Sequence, residues 1–194
     1  ELEEERKAYL AKGRMPRYSG KCRNLTRDQI ARLSMERTPV VRFRVPVDTV
    51  TLDDMVKGEI NFDSSTIGDF VIMRSDGFPT YNFAVVVDDA EMKVTHIIRG
   101  DEHISNTPRQ IMLYEALGFP VPKFGHVAMI LGPDRTKLSK RHGATSIAYY
   151  REAGYLPEAI LNYLALLGWT PGDTREIMDI QEVAAAFSLD RVSK

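Results

Sequence analysis

His126-Val127-Ala128-Met129-Ile130-Leu131 runs into Gly132-Pro133-Asp134 and then into Lys137-Leu138-Ser139-Lys140-Arg141. The apolar run reads as a buried strand, the Gly-Pro-Asp segment as the turn that breaks it, and Gly143 as the close of a basic loop. Strand, turn, then two lysines flanking a small hydroxyl would present ammonium groups to a polyphosphate. By pattern alone, however, a solvated surface loop is the better reading of so short a basic segment. Upstream, Phe83–Val87 and Val94–Arg99 are again short, apolar and β-branched, as expected for a parallel sheet buried on both faces. Between strands, Thr107-Pro108 starts a helix with proline in its first turn, and Gly118 ends it. Strands alternating with such a helix predict a doubly wound α/β arrangement, with ligands at the carboxyl ends of the strands.

The 194 residues, 43% of them hydrophobic, suffice for a sizeable core and one or two domains. A net charge of −1 gives no global nucleic-acid signature, so RNA contacts would depend on local basic patches. The single cysteine, Cys22, excludes an internal disulfide framework and fits a reducing compartment. No apolar run approaches the roughly 20 residues of a membrane span. A cytoplasmic protein that does not engage a membrane is the expectation.

Lys137–Arg141 resembles the Lys-Met-Ser-Lys-Ser signature of class I aminoacyl-tRNA synthetases, in the Lys-Leu-Ser-Lys-Arg form of the glutamyl-tRNA synthetases. Other segments resemble that family in the family's order. They include Asp76–Ala84, Val87-Asp88-Asp89, Ile98-Arg99-Gly100-Asp101-Glu102-His103, Asn106–Gln110, Gly154–Ala159 and Asn162–Trp169. The chain opens Glu1-Leu2-Glu3-Glu4-Glu5 rather than on methionine. By resemblance it is the middle of a larger synthetase, lacking the upstream His-Ile-Gly-His type element and the anticodon-binding region. The chain by itself is then expected to be inactive.

The resemblance organises the chain into three parts. Residues 1–75 match the inserted α+β acceptor-stem-binding domain. Here Glu1–Lys12 is helical, and Thr26 with Gln29 forms a capping box for a second helix. Val41, Phe43 and Val45 alternate with Arg42 and Arg44, while Ile60/Phe62 and Phe70–Met73 add strands. Residues 76–135 match the second half of the Rossmann-like nucleotide-binding fold. Residues 136–194 hold the signature loop and the start of a helical stem-contact segment, with helices Ser146–Ala153, Pro157–Leu167 and Ile180–Phe187, the last capped by Asp179.

Activation of an amino acid by ATP builds anionic charge at phosphorus and on the leaving pyrophosphate, which fixed cations and Mg²⁺ stabilise. Lys137 and Lys140 are the expected catalytic cations. The resemblance assigns ATP contacts to Leu138, Ser139, Lys140 and Arg141, and places the adenosine near Glu102 and His103. Arg99, ending a strand, is either paired with an internal carboxylate or kept for an anionic ligand; the resemblance gives it, with Tyr81, to the substrate glutamate. Tyr81 taken alone is more often a core aromatic than a ligand group.

In some family members the inserted domain holds zinc through a Cys-x-Cys and a Cys-x-His pair. Here Cys22-Arg23-Asn24 has asparagine in the histidine position, so no structural zinc is expected and Cys22 reads as a buried small residue or an inert thiol. Arg14, Arg17, Lys21, Arg23 and Arg27 form a basic cluster around Tyr18. With Arg42 and Arg44 they read as a solvated face or, by resemblance, as contacts to tRNA phosphates, with Arg14, Arg17, Arg42 and Arg44 as the expected tRNA-binding set. Trp169 reads as core. The expected activity is glutamate–tRNA ligation with ATP, Mg²⁺, glutamate and tRNA(Glu), by a monomer. A glutamyl-queuosine-type tRNA-modifying relative and a non-catalytic tRNA-binding module are the alternatives.

Overall fold

The computed structural model describes residues 2–13, 16–46, 48–132, 134–136 and 146–194. They form two compact units, Glu1–Leu52 with Ile60–Thr95 and Ser105–Pro122, and Asp53–Glu59 with His96–Ile104 and Lys123–Lys194.

The first unit opens with helices α1 (Leu2–Ala11) and α2 (Arg27–Glu36). The Thr26 hydroxyl accepts from Gln29 N, and the Gln29 side chain accepts from Thr26 N at 2.9 Å, which completes the expected capping box. Strands β1 (Val41–Phe43) and β4 (Phe70–Met73) pair antiparallel, and Phe43 stacks on Phe70 at 5.3 Å. A bulge between Val41 and Arg42 interrupts the period-two alternation, so Val41 is exposed while Val45 is buried. β2 (Thr49–Asp54) and β3 (Gly58–Asp63) flank a tight turn, with Val50 and Leu52 on the buried face of β2. Asp69 locks the crossing segments: its Oδ1 accepts from Arg23 Nη1 at 2.7 Å and from Val45 N at 2.9 Å.

Residues 83–87 are helical, not extended. α3 runs Tyr81–Glu91 and packs on α4 (Thr107–Leu117) through Val86 and the buried Ile111–Tyr114. The valine-rich run favours a strand by a fraction of a kcal/mol per residue, and packing against a neighbouring helix outweighs so small a preference. Gln110, itself buried, donates to Asn82 at 3.0 Å and ties the two helices together. α4 begins at Thr107-Pro108 and ends where Gly118 takes φ 69°, as its sequence predicts.

The second unit is built on β5 (His96–Gly100) and β6 (Lys123–Val127), paired in parallel over five positions from His96↔Lys123 to Gly100↔Val127. On the other side of β6, Asp54 pairs with Phe124 and Met55 N donates to Phe124 O. The strand therefore sits earlier than the apolar run Val127–Leu131 suggests. Its register follows its partners, which end at Gly100, and Ile130 and Leu131 are exposed beyond them. Helices α5 (Ile147–Glu152), α6 (Pro157–Leu166) and α7 (Ile180–Ala186) follow. Ser146 caps α5, and Asp179 with Glu182 forms a capping box on α7. Trp169 is core, buried against Phe187, and Asn162 holds the loop before α7 through Met178 N and Glu176 O.

A polar pair lies at the centre of this unit. His126 is fully buried and Asp54 is 2% exposed. Nδ1 of His126 lies 2.6 Å from Asp54 Oδ2, while Oδ1 accepts from the backbone N–H of Val56, Lys57 and His126 at 3.0, 2.9 and 3.1 Å. Burial pushes the Asp54 pKa up, but the Lys57, His126 and Val56 donors together outweigh it and hold the carboxyl below its ordinary value. Burial also lowers the His126 pKa, against the upward pull of Asp54. The native state thus holds a carboxylate and a neutral imidazole. Above about pH 6.5 both folded and unfolded chains carry this imidazole neutral, and its contribution to stability is complete. As pH falls through the lowered native pKa, the unfolded state binds the proton first and that stability is lost. Urea titrations should show unfolding free energy declining from about pH 7 to about pH 5, with a shallower decline in His126→Gln. The same slope in both proteins would contradict this assignment.

Candidate active site at the carboxyl end of strand β5

The register of the parallel pair sets Arg99 opposite His126. Arg99 Nε donates to His126 Nε2 at 3.1 Å, and the guanidinium lies 5.4 Å from the centre of the Phe124 ring. One partner of Arg99 is therefore an imidazole, with an internal carboxylate one step further on. Arginine has donors only, so the bond requires a lone pair on Nε2 and the ring proton on Nδ1, facing Asp54.

Directly after β5 the chain turns through a 3₁₀ segment, Asp101–His103. Lys57 Nζ lies 3.3 Å from Asp101 Oδ2, an ion pair that fixes the start of the turn. A Cβ on Gly100 would collide with the Glu102 carboxylate, so glycine is what lets Glu102 fold back over the backbone. Arg99, Glu102 and His103 are thus gathered on five consecutive residues where a parallel strand ends, the position at which α/β sheets bind ligands. Tyr81 belongs to the first unit, where it opens α3 and is 55% exposed. Lys137, Leu138, Ser139, Lys140, Arg141 and Arg14 lie outside the described residues.

The basic residues of the first unit divide by role. Arg42 lies 4.0 Å over the Tyr18 ring and donates to Asp69 O, and Arg23 is paired with Asp69, so both brace the fold. Arg17 donates to Ser65 O at 3.1 Å and Arg44 approaches Asn24 Oδ1 at 3.5 Å; both are exposed. Lys21, Arg23, Arg37, Arg42 and Arg44, with Tyr18, line a groove of about 490 Å³. Cys22 is exposed rather than buried, because its segment is a surface turn in which Cys22 N donates to the Tyr18 hydroxyl at 2.7 Å. Among the described residues no cluster of three or more His, Cys, Asp or Glu could hold a metal ion, and no helix is long and apolar enough to cross a membrane.

Two residues central to this site, Asp54 and His126, escaped the reading of the sequence as chemistry. The available signal was weak: a histidine heading an apolar run, and an aspartate in the inward phase after Val50 and Leu52.

Comparison with known proteins establishes the family and the fold. The family described as tRNA synthetases class I (E and Q), catalytic domain, matches residues 1–194. The glutamate–tRNA ligase of Carboxydothermus hydrogenoformans is 61% identical over 196 aligned residues, covering 100% of this chain and 41% of that protein. That of Heliobacterium modesticaldum is 59% identical, covering 100% of this chain and 40% of its own length. The crystal structure of glutamate–tRNA synthetase from Elizabethkingia anophelis superposes with a TM-score of 0.83 at 37% identity, covering 99% of this chain and 44% of that one. A glutamate–tRNA ligase from Elizabethkingia meningosepticum, solved in complex with its amino acid, gives 0.84 at 37% identity over 100% of this chain and 44% of that one. The chain spans about two-fifths of the length of the curated relatives it matches. By sequence and by fold it belongs to the class I tRNA synthetases for glutamate and glutamine, within their catalytic domain.

Proposed function

We propose that the protein containing this chain is a cytoplasmic, monomeric glutamate–tRNA ligase. It would adenylate glutamate with ATP and pass the glutamyl group to the 3′ end of tRNA(Glu). The observation that carries this reading is the carboxyl end of β5, where Arg99 is held by His126 and is followed at once by Glu102 and His103. The relatives that match the whole chain at about 60% identity are glutamate–tRNA ligases, which supports the choice of amino acid.

In this reading Arg99 and Tyr81 bind glutamate. The carboxylate of glutamate attacks the α-phosphorus of ATP, pyrophosphate leaves, and the charge that develops must be met by fixed donors. Lys137 and Lys140 would neutralise it, with Lys140 the principal contact, while Leu138, Ser139 and Arg141 complete the nucleotide loop. Glu102 and His103 would lie by the adenosine. Mg²⁺ bound with ATP would screen the phosphates. Residues 1–75 would carry the acceptor-stem contacts through Arg14, Arg17 and Arg44, mostly to backbone phosphates, while Arg42 is held by Tyr18 and Asp69.

The direct test is tRNA-dependent ATP–pyrophosphate exchange by the whole protein. Exchange should require glutamate, and Lys140→Ala should slow it about 100-fold or more with the fold intact. Exchange that proceeds without glutamate, or is untouched in Lys140→Ala, would refute the reading. Removing the charged partner of the substrate carboxylate in Arg99→Ala should raise the glutamate KM about 10-fold or more, and Tyr81→Phe should raise it less. Steady-state kinetics at saturating ATP measures both.

A further inference from the structure

We propose that His126 is a positioning residue for amino-acid activation. Its Nε2 lone pair accepts the Nε–H of Arg99 and sets the direction in which the guanidinium faces the substrate, while Asp54 holds the imidazole in the tautomer that makes this possible. This deepens the functional reading above and rests on Arg99 as the arginine that binds glutamate.

Each link in the relay is anchored by the backbone. Asp54 closes a tight turn in which Oδ1 takes three main-chain N–H groups, from Val56, Lys57 and His126, leaving its carboxylate no rotation. Oδ2 faces His126 Nδ1 at 2.6 Å, and Nε2 of the same ring faces Arg99 Nε at 3.1 Å. The His126 ring is nearly parallel to that of Phe124, with 7° between planes, and the guanidinium that meets the imidazole edge lies 5.4 Å from the centre of the Phe124 ring. With Nε engaged by the imidazole, the angle of the fork is set by the strand pair as well as by the side chain's own torsions. A lysine could not be held in this manner, because its ammonium has no fixed fork.

The relay fails in a defined way. A proton on Nε2 turns the acceptor into a donor aimed at Arg99, so the guanidinium loses the bond at its Nε. Among the described residues, the charged and titratable groups that act on the ring include Asp54 from the β2 turn, Arg99 from β5 and His103 from the 3₁₀ turn. Affinity for glutamate is therefore expected to fall on the acid side while affinity for ATP stays level.

The experiment uses the whole enzyme and measures glutamate KM, ATP KM and kcat across pH for four variants. In His126→Asn the amide can replace Nδ1 toward Asp54 but offers Arg99 nothing. In His126→Gln the amide oxygen can replace Nε2 as a non-titrating acceptor. His126→Asn should raise the glutamate KM about 10-fold with ATP KM little changed, and should lower the thermal midpoint while leaving the enzyme folded at assay temperature. His126→Gln should recover most of that loss and abolish the acid-side rise in KM. The double variant Arg99→Ala/His126→Asn should be no worse than Arg99→Ala, since the histidine acts only through the arginine. A folded His126→Asn enzyme with unchanged glutamate KM, or equal losses for ATP and glutamate, overturns the proposal. So does an additive double variant. Should His126→Asn not fold, an acid-side rise surviving in His126→Gln overturns it equally. If Arg99→Ala raises KM and His126→Asn does not, only the positioning role is lost. If Arg99→Ala leaves KM unchanged, the assignment of Arg99 to glutamate falls as well.

Discussion

A carboxylate and an imidazole with no exposure to solvent, 2.6 Å apart, are the constraint on which the second unit depends. Burying such groups costs several kcal/mol unless every donor and acceptor is met. Here the cost is offset because Asp54 is saturated by three backbone donors and one ring nitrogen. The same contacts fasten the β2 turn to β6, and through Arg99 they fasten β6 to β5. The cluster that holds the sheet together also aims the arginine at its carboxyl end, so stability and site geometry share one set of bonds. Asp69 has the corresponding role in the first unit, where it joins Arg23 to the backbone at Val45.

Helix ends were the most legible part of the fold. Thr26 with Gln29, Thr107-Pro108 with Gly118, and Asp179 with Glu182 each satisfy orphan backbone groups with side chains a few residues away, so their signals are local. What decided the rest was not local. Phe83–Val87 has the composition of a strand, yet its place against α4 makes it the middle of a helix. The strand Lys123–Val127 contains lysine, glycine and histidine, and its register follows from β5 and Asp54 rather than from the more apolar residues that come after it. The β2 strand was missed because Val50 and Leu52 are followed inward by an aspartate, which breaks the apolar alternation while serving the polar cluster.

The candidate site divides in the same manner. Arg99, Glu102 and His103 were named through the family resemblance; the pattern alone, a strand followed by charged residues, left a structural role equally open. Asp54 and His126 are 72 positions apart, and only the fold reveals that they act together. The basic residues show the converse: Arg23 and Arg42 are drawn into structural contacts with Asp69, so a count of positive charge overstates what remains exposed to a phosphate backbone.

The central claim, that a neutral His126 carries its proton on Nδ1 and offers Nε2 to Arg99, is tested most directly by long-range ¹H–¹⁵N correlation NMR on the histidine-labelled protein near neutral pH. The account predicts a protonated Nδ1 and an unprotonated, hydrogen-bonded Nε2 for His126, with the signal shifting in Arg99→Ala. A proton on Nε2, whether in the other neutral tautomer or in the imidazolium, would contradict it.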